Sequence, residues 1–178
     1  MAEEKRDALD ALIGDIIGDG QAEAARQRQQ EAAQQAMREM QERRKAVLSK
    51  EEERIREVGW RLVQKVAADL NAGGVKVEAT AEPKKAGTNN HVHLGTIIFQ
   101  KPENHKVPAV RLVTWVTTRT TPEDELQPTA TCEALVSADV RSQRGEQSYQ
   151  TVGRMEYTSE ETIRELLRVA LARATGKA

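Results

Sequence analysis

The chain of 178 residues carries 27 basic and 28 acidic side chains, for a formal charge of −1. Split after Gly74, its parts hold 13 basic against 15 acidic residues and 14 against 13, so neither has the basic excess of an electrostatic nucleic-acid binder. Aromatic residues are only 3%, which predicts a packed core smaller than the whole chain.

The first element is the stretch "DALDALIGDIIGDG", residues 7–20. Leu9, Leu12, Ile13, Ile16 and Ile17 follow the i, i+3, i+4, i+7, i+8 spacing that lines one face of a helix. Asp7, Asp10 and Asp15 lie off that stripe, and "GDG" at 18–20 predicts its end. Aspartates on the polar face argue against a membrane surface, because anionic lipid favours Lys and Arg there. A short helix with an unpartnered apolar stripe needs another protein surface, so these five residues are the expected partner-binding set.

Residues 21–48 are rich in Gln, Ala and Arg and contain neither Gly nor Pro. They predict an exposed helical arm, a linker, or a weak coiled coil with a thin alanine seam. "SKEE" at 49–52 has the form of a capping box and predicts a new helix. Its core face would carry Ile55, Val58, Leu62, Val66 and Leu70, with Val63 beside them, and "NAGG" at 71–74 would stop it.

From there the apolar period changes from helical to alternating. Five strands are predicted, over 75–80, 91–101, 109–120, 129–141 and 146–157, joined by the long loop 81–90 and then by hairpin connections. A last helix is expected from a second capping box, "TSEE" at 158–161, with Ile163, Leu166, Leu167, Ala170 and Leu171 inward. The expected class is α+β: a five-stranded antiparallel meander flanked by two helices, with an extended helical arm ahead of it. The expected divisions are 1–20, 21–48 and 49–178.

Strict alternation splits the sheet residues into two sets. Small and branched residues, among them Val92, Leu94, Ile98, Val110, Leu112, Val116, Ala130, Cys132 and Ala134, suit packing under helices. The other set mixes Ile97, Phe99, Val113, Trp115, Leu135, Tyr149, Met155 and Tyr157 with Arg111, Arg119 and Glu133. From it Phe99, Arg111, Trp115, Arg119 and Tyr149 are the expected binding residues of the sheet.

No catalytic signature is present: phosphate-binding glycine loops, the dinucleotide fingerprint and the nucleophile elbow are all missing from the sequence. No catalytic residue, cofactor or metal is expected. His91 and His93 share one side of a strand, but His105 sits in a hairpin turn, too far along to complete a three-histidine site. Cys132 is the single cysteine and falls among the small inward residues, which predicts an inert buried thiol and a reducing compartment. Without a secretory segment or a long apolar run, the expectation is a cytoplasmic protein away from membranes.

The leading expectation is a non-enzymatic adaptor or assembly protein, forming homo-oligomers or recruiting a protein partner through its first helix. A small-molecule or enzymatic site on the Trp115 face is the second expectation. Single-stranded nucleic-acid binding on the same face is the third, disfavoured by Glu133 and by the lack of an RNP-like motif.

Overall fold

The computed structural model describes residues 2–81, 91–102, 105–122, 125–141 and 149–177, with side chains from Ile17 onward and not at His91. Its elements are α1 (Ala2–Ala72), β1 (Val77–Thr80), β2 (His91–Phe99), β3 (Ala109–Thr120), β4 (Leu126–Ser137), β5 (Tyr149–Glu156) and α2 (Glu160–Thr175). The strands pair antiparallel in the order β1-β2-β3-β4-β5, a meander between two helices. The class is α+β. The loop residues 82–90 and the turn residues 103–104, 123–124 and 142–148 fall outside the described residues.

One helix replaces the separate segments expected before Ala72. "GDG" does not end it and Ser49 does not begin a new one, since both lie inside α1. Each glycine costs a helix interior only about 1 kcal/mol against alanine, and the flanking residues are strong helix formers without proline. The helix ends where "NAGG" predicts. Gly74 takes the left-handed conformation (φ 84°), and the Val75 N–H returns to the Leu70 carbonyl. Asn71 then exchanges two side-chain hydrogen bonds with the Val77 backbone, which starts β1.

The chain divides into two compact units, Met1–Lys45 and Ala46–Ala178. The second holds the core: Ile55, Leu62, Val63 and Ala67 of α1, the inner face of the sheet, and Ile163, Leu166, Leu167 and Ala170 of α2. Gly59 stands in the inner stripe of α1 because the sheet comes too close for a side chain. A Cβ there would lie 2.8 Å from Leu94 Cβ. The cap of α2 is Ser159, one residue later than expected, and the Thr158 hydroxyl pairs instead with Thr162 (3.2 Å).

β4 begins at Leu126, so it includes Pro128 inside a central strand. Ala130 bonds across to Tyr157, so the neighbour on the same side, Pro128, turns its missing donor past the end of β5. No ladder bond is lost.

Two bulges reassign the faces of the sheet. On β2 the register shifts between His93 and Gly95, leaving Leu94 as the extra residue. Beyond it the alternation inverts: Ile97 and Phe99 (3% exposed) turn into the core, and Ile98 turns outward. On β5 the shift lies opposite Ala134 and Leu135, with Val152 as the extra residue. Met155 therefore stands on the helix side opposite Cys132, and Tyr157 packs against the core edge. The expected outward placing of Ile97, Phe99, Met155 and Tyr157 is thereby corrected.

Candidate binding face of the sheet

Paired residues of an antiparallel sheet point to the same side, so the register spells out the face turned away from the helices. Its rows run Trp115–Thr131–Glu156, His93–Val113–Glu133–Arg154, Thr96–Arg111–Leu135–Thr151 and Ile98–Ala109–Ser137–Tyr149. Thr117 and Thr129 continue it with a hydroxyl pair at 2.8 Å, and Arg119 lies opposite Gln127 at its rim. Arg111, Trp115, Arg119 and Tyr149 of the expected set meet here. Phe99 does not.

Within the unit Ala46–Ala178 both helices pack on the opposite side. α1 meets β2 on the other side through Gly59 and Leu94, and α2 meets β5 there through Leu166 beside Gly153. Val113 (2% exposed) and Ala109 are buried, yet stand apart from the helix-packed core. The larger side chains of this face form two cation–aromatic stacks. The Arg111 guanidinium sits 4.2 Å from the centre of the Tyr149 ring, and the Arg154 guanidinium 5.4 Å from that of Trp115. Arg154 also bonds Glu133 from Nε to Oε1 at 2.8 Å. Glu133 is only 7% exposed, so this partner offsets the cost of placing a carboxylate in the sheet. Arg154 was missing from the sequence-derived set because the β5 bulge puts it on this side. The glycine at 153, in the interior of the strand, was the available signal.

The remaining expected residues lie elsewhere. Leu9, Leu12, Ile13 and Ile16 fall within α1, but their side chains are outside those described; Ile17 is 54% exposed. His93 is half-buried on the open face opposite Val113, while His105 is an exposed loop residue. Among the described residues no three of His, Cys, Asp or Glu gather into a metal-binding group. Cys132 is fully buried, and burial pushes its thiol pKa upward against a long contact to the Thr114 hydroxyl at 3.5 Å. A high pKa and no access make a poor nucleophile.

Two cavities lie away from the open face. One of about 420 Å³ is lined by Lys101, Lys106, Pro108, Val136, Gln150 and Arg173. The other, about 400 Å³, runs between the helices over Leu62, Val66, Leu167 and Leu171. No helix among the described residues is long and apolar enough to cross a membrane. Compared with known proteins, the chain matches no family model, no curated protein and no solved structure.

Proposed function

We propose that the chain is a non-enzymatic assembly protein whose body binds protein surface, a second copy included, through the open face of the sheet. The observation that carries this is the stacked pair Arg154–Trp115 beside Arg111–Tyr149, on the side of the sheet opposite the helix-packed core of the unit Ala46–Ala178. Trp, Tyr and Arg are the residues that dominate binding energy at protein interfaces, above all where they sit rigidly around a buried apolar centre. Val113 and Leu135 supply that centre. Each ring already carries a guanidinium, which leaves its face less open to a nucleobase and favours protein over single-stranded nucleic acid.

In this reading the stripe Leu9, Leu12, Ile13, Ile16 and Ile17 supplies a second contact, with α1 carrying it. The test is sedimentation equilibrium of the full chain beside two variants, Trp115→Ala and the double change Leu12→Asp with Ile16→Asp. Each should lower the mean mass or release a captured partner while the thermal transition of the body persists. Masses and partner lists unchanged in both variants would overturn the proposal.

A further inference from the structure

The outer edge of β5 is open among the described residues, because β5 pairs only with β4. Its hydrogen-bonding parity follows from one contact. Tyr157 N–H donates to the Ala130 carbonyl at 2.8 Å, so Tyr157 and its alternates Met155 and Gly153 direct their backbone groups toward β4. Arg154 and Glu156, between them, direct their N–H and C=O outward. Their side chains stand on the open face, opposite Glu133 and Thr131.

We infer that β5 pairs antiparallel with β5 of a second copy, about a two-fold axis through Met155, to join two sheets edge to edge. This rests on the reading above only in that the body self-associates; it sets the contact between copies at the edge of β5 and leaves the open face to other protein surface. In that register Arg154 faces Glu156 of the partner copy and Glu156 faces Arg154, so two opposite-charge pairs form at once. Both belong to outward-directed backbone positions, as a hydrogen-bonded pair requires. Arg154, already bonded to Glu133, would then lie between two carboxylates. Met155, 41% exposed on the helix side, would meet its own symmetry mate and lose that exposure. A shift of two residues in the sum of paired positions breaks the charge match, setting Arg154 against itself or Glu156 against itself. Charge thus selects one register, and the open faces of the two copies become continuous.

The inward parity of Met155 makes the test specific. Two such residues facing each other across the axis form a non-hydrogen-bonded pair with Cα atoms about 4.5 Å apart, within reach of a disulfide. The variant is Met155→Cys in a Cys132→Ala background, since Cys132 is the cross-strand neighbour of Met155 within one chain. Diamide oxidation of the full-length variant should give a covalent dimer, and Gln150→Cys in the same background should not. Sedimentation equilibrium of the otherwise native chain should show a dimer that Glu156→Arg weakens roughly tenfold by setting like charges opposite. Glu156 is exposed, so that change leaves the fold intact. A dimer that does not cross-link at Met155 overturns this inference and leaves self-association standing. A monomer throughout, as expected if Arg154 and Glu156 instead guard the edge against pairing, overturns both.

Discussion

Gly59 of α1 and Leu94 of β2 approach so closely that a Cβ on the glycine would lie 2.8 Å from Leu94 Cβ and 2.9 Å from its Cδ1. Helix and sheet meet there with only the Leu94 side chain between them. Leu94 is also the extra residue of the β2 bulge, so this close helix–sheet contact falls where the strand changes phase.

Gly59→Ala should therefore destabilise the body despite a gain in helix propensity of about 1 kcal/mol. Overpacking a filled core typically costs about 1–3 kcal/mol, and here the obstruction is a Cβ rather than a flexible tip. Shortening the neighbour in the double variant with Leu94→Ala should not restore stability, since that Cβ remains. Urea denaturation of the four species checks both statements; recovery in the double variant would place the clash further out on Leu94.

Trp115→Ala should cost less stability than the roughly 3–5 kcal/mol lost when a core tryptophan is truncated. Trp115 is only half-buried and stands apart from the helix-packed core, under the Arg154 guanidinium. A denaturation series gives the size of the loss. A fall at the top of that range would make Trp115 a structural residue and weaken the proposed binding face.

Asp139 holds the connection ahead of β3 to the end of β4. One carboxylate oxygen accepts the N–H groups of Val107 and Arg141, each at 3.1 Å, and these two bonds hold its pKa below the usual carboxylate value. A depressed folded pKa adds stability above the unfolded pKa and loses it as pH falls through the folded one. Amide exchange at Val107 and Arg141 should accelerate only in acid below the ordinary aspartate range. Asp139→Ala should accelerate it at neutral pH, whereas Asp139→Asn, which keeps an acceptor oxygen, should do so less. Equal exchange in all three proteins would remove the role given to this carboxylate.

Cys132 should resist alkylation in the folded protein and react once denaturant opens the core. Burial both blocks access and disfavours the thiolate, so the two effects act in the same direction. Mass spectrometry after iodoacetamide treatment across a urea series should show modification rising with the unfolding transition. Modification well ahead of it would indicate local opening between β3 and β4.

The architecture was legible in the sequence because it depends on period and punctuation. The stripe from Ile55 to Leu70, the stop at "NAGG" and the change to alternating residues place the helices and strands with small errors at their ends. Continuity of α1 was not legible at "GDG" and Ser49, where local stop and start signals are each weak beside a long run of helix formers. Assignment of residues to the open face held on β3 and β4, which run without a bulge, and failed on β2 beyond His93 and on β5 beyond Thr151. Gly95 and Gly153 mark both places, since interior strand glycines often accompany a bulge or a close neighbour. Leu94 and Val152, the residues that shift the phase, have no chemistry of their own to betray it.

The bulges also set which errors in the gene this fold would tolerate. Removing one codon from a hairpin connection shortens a loop. Removing Leu94 would make His93 and Gly95 ordinary alternating neighbours, so the pairs from Gly95–Leu112 to Ile98–Ala109 would keep their register and Phe99 its place in the core, at the cost of the Leu94 side chain against Gly59. Removing Val152 would do the same for β5, leaving Arg154 opposite Glu133 and Met155 opposite Cys132. Elsewhere in these two strands a lost residue turns the side chains beyond it to the other face, so single-residue deletions should be purged there more severely than at Leu94 or Val152.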